Sequence, residues 1–239
     1  MAEHLERKFF LLIYYELFLI LSSLLFCTEA VGVVAFAISG AGVAIEKDLD
    51  LFGIIVLGVT TATGGGVIRD LLLGVTPPAM FQNPVYAEMA FVTALTMFFL
   101  GRFGTPALKR HSAAFHAVVE LCDAVGLGVF AVTGVYAAQA AGYRENGFLA
   151  VFVGVVTGIG GGILRDIMAG EIPFVLNKRI YALAAIMGAL CYHWMERQEI
   201  SGAMFWGILL TVLIRVLAEH YGWQLPKARP REKKREERP

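Results

Sequence analysis

The sequence predicts an all-α membrane protein of seven transmembrane helices, arranged as two inverted three-helix repeats followed by a seventh helix. Three observations carry this. The 239-residue chain is 57% hydrophobic and only 17% charged, with a mean hydropathy of +0.66. Its apolar residues fall in uncharged runs such as 51–68 and 148–164. One motif, with its surroundings, occurs twice. A soluble domain of this length would carry more surface charge. Runs of this length suit helices through a hydrocarbon core about 30 Å thick, where each segment must satisfy its own backbone polar groups.

Crossing segments are expected near 19–45, 52–73, 85–101, 115–141, 148–169, 180–195 and 200–221. Apolar character begins at Phe9, too early for a single span, so residues 9–20 read as an interfacial extension or added helical turns. A signal peptide is the rival, since Arg7 and Lys8 precede the apolar stretch. Against it, Glu16 interrupts the stretch and no A-x-A-like site follows. The chain thus divides into an extension (1–23), a first three-helix unit (24–103), a second (115–197), a seventh helix (198–222) and a charged tail (223–239).

Orientation follows from the basic residues. Lys47, Arg102, Lys109, Arg110, Lys178, Arg179 and the seven Lys and Arg after Pro226 fall on one side, against Arg7, Lys8, Arg144 and Arg197 on the other. The positive-inside rule then sets the N-terminus outside and the C-terminus in the cytoplasm, with the tail carrying much of the bias. That tail reads as solvated and disordered. Glu232, Glu236 and Glu237 dilute its positive field, so no nucleic-acid partner is expected. The membrane partners are lipids.

The repeat is the most specific signal. Ala62-Thr-Gly-Gly-Gly-Val-Ile-Arg-Asp70 matches Gly158-Ile-Gly-Gly-Gly-Ile-Leu-Arg-Asp166. Gly74, Pro78 and Tyr86 follow the first copy; Gly170, Pro173 and Tyr181 follow the second. Upstream, Glu29, Gly32, Phe36, Ala37, Ser39 and Gly40 align with Asp123, Gly126, Phe130, Ala131, Thr133 and Gly134. Each unit holds three spans, an odd number, so the second copy must enter from the opposite face.

Glycine costs about 1 kcal/mol against alanine inside a helix. Gly64, Gly65, Gly66 and Gly160, Gly161, Gly162 therefore need a reason, and two are open. They let another helix approach closely, or the helix unwinds there and frees carbonyl oxygens for a cation. Thr60, Thr61 and Thr63 add hydroxyls to the first copy, and only Thr157 to the second. Arg69 and Arg165 lie within spans and must pair or face water. Asp70 and Asp166 are adjacent but, as helix neighbours, are not expected to face them. Glu29 and Asp123 on other spans are the better candidates. Such pairs either lock the units together or form a charged gate. Arg215 is expected to snorkel or to pair with Glu219.

The three cysteines are isolated and show no metal spacing, and no cofactor is expected. No P-loop, dinucleotide fingerprint, H-E-x-x-H or G-x-S-x-G occurs, so nothing points to an enzyme.

With its doubled GGG-x-x-RD motif, each copy trailed by G…P…Y, the sequence resembles the prokaryotic trimeric intracellular cation channel (TRIC) family over residues 24–221. The resemblance implies a homotrimer in the inner membrane with a pore in each protomer. It implies that the second and fifth spans bend at their glycines and line that pore. It also implies passage of K⁺, with Na⁺ excluded less well than in a dedicated potassium channel; no TVGYG filter is present. The same family has been labelled a glycine transporter. A zwitterion would use a half-helix N-terminus and freed carbonyls, the same broken helices. A purely structural membrane protein, its glycines serving only to pack, is the third reading.

Overall fold

The computed structural model describes residues 2–103, 112–177 and 180–223, with side chains from residue 22 onward, Asn177 excepted. Lys109, Arg110, Lys178, Arg179 and the tail beyond 223 lie outside the described residues, and so do the side chains of the stretch weighed as a signal peptide, whose backbone belongs to the first helix.

The described residues form helices and no strand: α1 (Ala2–Glu46), α2 (Leu51–Leu72), α3 (Ala79–Gln82), α4 (Val85–Phe103), α5 (Ala113–Ala138), α6 (Gly147–Met168), α7 (Phe174–Asn177), α8 (Tyr181–Arg197) and α9 (Ala203–His220). Six of them are long and apolar enough to cross a membrane. The expected sixth span, α8, has 17 residues, about 25 Å of helix. It is shorter and more polar than the six, ending in Tyr192, His193, Glu196 and Arg197. The first span is one continuous helix that includes the membrane-length apolar segment Ser22–Glu46, and α5 runs on through a π-helical turn, Gln139–Tyr143.

Local chemistry fixes the helix ends. The carboxylate of Asp50 accepts from the Gly53 N–H (2.8 Å), the Ser112 hydroxyl from Phe115, and the Asn146 amide oxygen from Leu149, capping α2, α5 and α6. The other ends of α2 and α6 share one device. Gly74 (φ 74°) and Gly170 (φ 71°) take the left-handed region. The following N–H groups, of Val75 and Glu171, reach back to the carbonyls of Asp70 and Asp166, both at 2.8 Å. A side chain at that φ costs about 1 kcal/mol or more. Gly74→Ala and Gly170→Ala should each lower the thermal midpoint of the purified protein by a few degrees, read by tryptophan fluorescence. An unchanged midpoint in both would show that these ends are not fixed by backbone geometry.

Packing centres on α1, α2, α5 and α6, each of which contacts the other three. Helix α4 lies on α1 and α2, while α8 lies on α5 and α6; α9 covers α5 and α8. The two units meet with matched contacts. Phe36 and Phe130, aligned in the repeat, pack with ring centroids 5.3 Å apart and their planes tilted by 43°. A methyl on Gly32 would meet Val129 and Phe130, and one on the aligned Gly126 would meet Phe36. Glycine here admits an aromatic ring between helices.

Candidate functional site

The glycine triplets lie where α2 crosses α6, and their contacts are reciprocal. A methyl on Gly65 would overlap the Thr157 carbonyl oxygen; one on Gly161 would overlap that of Thr61. Gly64 faces Leu164, and Gly160 faces Ile68. A methyl on the third glycine would lie 3.9 Å from Arg69 Nη2 at Gly66, whereas at Gly162 it would lie 3.0 Å from the Tyr181 hydroxyl and 3.7 Å from Arg165 Nη2. The three positions therefore serve three purposes: partner side chain, partner backbone, and arginine, joined in the second copy by Tyr181.

The expected unwinding is not found. Helices α2 and α6 run unbroken through the triplets. The reason is physical: a freed carbonyl in an apolar core costs several kcal/mol, whereas an intact glycine helix gains the close approach of its neighbour. The threonines follow suit. Thr61, Thr63 and Thr157 donate to the carbonyls of Leu57, Val59 and Val153 in their own helices (2.6–2.8 Å), while Thr60 is half-buried.

On either side of the crossing lies an arginine cluster. In the second unit, Arg165 Nη1 meets Asp123 Oδ1 at 2.6 Å and Ser39 Oγ at 2.5 Å, and Nε meets Asp166 Oδ1 at 2.8 Å. Its guanidinium stacks 4.8 Å over Phe174, whose N–H donates to Asp166 Oδ2 at 2.7 Å. Arg165 and Asp123 are 1% and 2% exposed, so the pair sits deep in the protein. In the first unit, Arg69 Nε meets Asp70 Oδ1 at 2.8 Å, and Asp70 Oδ2 accepts from the Ala79 N–H at 2.8 Å. Glu29 is further away, 3.6 Å from Nη1, and takes the Tyr86 hydroxyl at 2.6 Å. This cluster is looser and more exposed, with Arg69 at 15% and Glu29 at 19%.

Two expectations are corrected here. Adjacent Arg and Asp do pair in both units, because Arg is long enough to turn its Nε back along the last helical turn. There the Asp also caps the N–H of the helix or loop that follows. The negative end of the helix dipole adds to the attraction for each Arg. Arg215 does not snorkel. It is 5% exposed and stacks 4.9 Å over the Tyr181 ring. Tyr181, in turn, reaches Asp123 Oδ1 at 3.5 Å.

The units also differ where the repeat pairs Ser39 with Thr133. Ser39 binds Arg165, but the buried Thr133 hydroxyl has no partner. Asp123 Oδ2 and Arg165 Nη2 are likewise unpartnered. Both clusters border open space: a cavity of about 120 Å³ beside Arg69, Glu29, Thr63 and Tyr86, and one of about 70 Å³ beside Arg165, Asp123 and Ser39. Water occupies about 30 Å³ in the liquid, so each space has room for a few waters or a partly hydrated cation. Ser39, Tyr86 and Tyr181 are site residues whose roles sequence reasoning missed, although the aligned positions flagged all three.

Comparison with known proteins accords with this doubled architecture. The sequence profile of the family described as Glycine transporter matches twice, at residues 26–102 and 120–197. The UPF0126 inner membrane protein YadS of Escherichia coli is 37% identical over 206 residues, spanning 85% of this chain and 95% of that one. A UPF0126 membrane protein of Deinococcus radiodurans is 38% identical over 208 residues, spanning 84% and 90%. The TRIC trimeric intracellular cation channel orthologue from Rhodobacter sphaeroides superposes with a TM-score of 0.76 at 32% identity, covering 84% of this chain and 99% of that one. A prokaryotic TRIC channel solved in 0.5 M KCl gives 0.76 at 31%, covering 85% and 100%. Two matches of one profile, full-length relatives and a shared fold make this multi-pass membrane protein, which is not an enzyme, a member of the prokaryotic TRIC family.

Proposed function

We propose that the chain is a passive, K⁺-permeable cation channel with a path through each protomer. The observation that carries it is the pair of small cavities, each bordered by carboxylates and arginine, on opposite sides of the reciprocal α2–α6 crossing. The lining is made of intact helices, and the crossing between Gly65 and Gly161 is the constriction. Carboxylates favour cations, and the arginines limit access to them. The cation-channel identity of the solved relatives supports the reading. So does the absence of any carbonyl-rich filter in this sequence, which accords with modest discrimination between K⁺ and Na⁺.

The same proposal has two inverted three-helix repeats, 24–103 and 115–197, with the seventh helix at 198–222. The doubled profile match and the reciprocal glycine contacts support a two-fold relation between the units. We further infer a homotrimer in a bacterial or archaeal inner membrane, N-terminus outside and C-terminus cytoplasmic. The trimeric relative and the inner-membrane homologue support it.

One observation favours a second reading, a carrier for glycine or a similar zwitterion. One cluster is tight and the other slack, with a closed crossing between them, which is the asymmetry an alternating-access cycle uses. Purified protein in planar bilayers and liposomes separates the two. Unitary K⁺ currents without saturable uptake of labelled glycine are expected. Saturable glycine uptake without unitary currents would replace the channel with the carrier.

A further inference from the structure

We propose that Arg215 is a movable plug in a lateral portal between α5 and α9, through which cations reach the inner cavity at Asp123; this rests on the channel reading above. Two open spaces meet at this side chain. A groove of about 290 Å³ runs along the outer surface between α5 and α9, beside Ala117, Glu120, Leu121 and Glu219. The inner cavity of about 70 Å³ holds Asp123, Arg165 and Ser39. Arg215 and Glu120 line both spaces. The guanidinium thus stands as the partition between the outside of the protomer and the Asp123 cluster.

The state of Arg215 is that of a group held only part-way. It is 5% exposed, yet its Nε and Nη1 have no hydrogen-bond partner among the described residues. Leaving buried donors unpaired is costly, and the Tyr181 face 4.9 Å away offsets only part of the cost. On the inner side, Asp123 Oδ2 is also buried without a partner. A hydrated cation admitted to the cavity would supply the missing contact to Asp123. The outer groove is lined by the acidic side chains of Glu120 and Glu219, whose charge favours cations there. The first unit has no such element: its aligned tyrosine, Tyr86, stacks on Phe26 at 5.7 Å rather than under an arginine. The plug is therefore supplied by α9, the helix outside the repeat, to one half of the path only.

The test uses the full chain with Cys27, Cys122 and Cys191 replaced by alanine, recording K⁺ currents in planar bilayers. Ala117→Cys places a thiol in the groove wall, away from the Arg165 cluster. A cationic methanethiosulfonate reagent should abolish most of the current through this variant, and an anionic one should leave or raise it. Val118→Cys, 46% exposed and lining neither space, should label without effect. Arg215→Met should raise unitary conductance or open time several-fold, with Arg215→Lys close to the parent. If Arg215→Met fails to elute as the parent does, the thiol experiment decides alone. Complete labelling of Ala117→Cys, shown by mass, with unchanged current under both reagents would overturn the portal and leave the channel reading intact. Absence of K⁺ current in the unlabelled parent alongside glycine uptake would overturn the channel reading, and the portal with it.

Discussion

Gly65→Ala should abolish flux and lower stability together, while Gly66→Ala, one residue away, should keep the fold. The added methyl at position 65 would overlap a backbone oxygen, that of Thr157, which cannot rotate aside as a side-chain tip can. Relief requires α2 and α6 to separate along the face where Gly161 meets Thr61 in the same way. Overpacking of a well-filled contact costs about 1–3 kcal/mol, and here it acts at the centre of the four-helix core. The methyl at position 66 finds only the Arg69 Nη2 at 3.9 Å. Its expected effect is on conduction, through the position of Arg69, with little change in thermal midpoint. Gly161→Ala should copy Gly65→Ala, and Gly65→Leu should be worse than either. The measurements are the thermal midpoint of the purified protein and K⁺ flux into liposomes. Full flux and an unchanged midpoint in both Gly65→Ala and Gly161→Ala would remove the crossing from the path and from the core.

The doubled motif made the fold legible in the sequence, because the two copies agree in residue type at positions that later touch. Glu29 and Asp123, Tyr86 and Tyr181, and Gly32 and Gly126 could all be aligned before any contact was known. What could not be read was which partner each group takes. Composition shows that Gly64–Gly66 are small, but not whether the space they leave is filled by a helix or by an ion; only the position of the Thr157 carbonyl decides that. The pairing of Arg165 with Asp166 was missed because helix spacing describes where side chains start, not where a long one ends. Arg215 was missed for a related reason. A cation near a helix end ordinarily snorkels, but here α9 packs on α8 and α5 and turns that residue towards Tyr181.

Asp123→Asn should be the most damaging charge substitution in the chain, and Glu29→Gln, its aligned counterpart, a mild one. Asp123 Oδ1 collects Arg165 Nη1, Ser39 Oγ and the Tyr181 hydroxyl, all in a cluster with 1–2% exposure. Removing its charge leaves Arg165 buried with Asp166 alone. Breaking a buried pair from one side costs about 3–5 kcal/mol, since the remaining charge stays out of water. Around Glu29 the same change strands little. Arg69 keeps Asp70 at 2.8 Å, lies 3.6 Å from Glu29, and borders the larger cavity, where water can replace the lost carboxylate. Fully exposed pairs are worth about 1 kcal/mol or less, and this long, partly buried contact beside open space lies nearer to them than to the Arg165–Asp123 pair. The contrast between two aligned positions is therefore set by burial rather than by residue type. A neutral replacement of both partners, Asp123→Asn with Arg165→Met, should recover much of the lost thermal midpoint, because no uncompensated charge remains. It should not recover K⁺ flux, since the inner cavity would then lack the Asp123 carboxylate and the Arg165 guanidinium. Equal midpoint losses for Asp123→Asn and Glu29→Gln would mean that the second cluster is hydrated like the first. Recovery of flux in the double variant would assign the Arg165–Asp123 pair to structure alone.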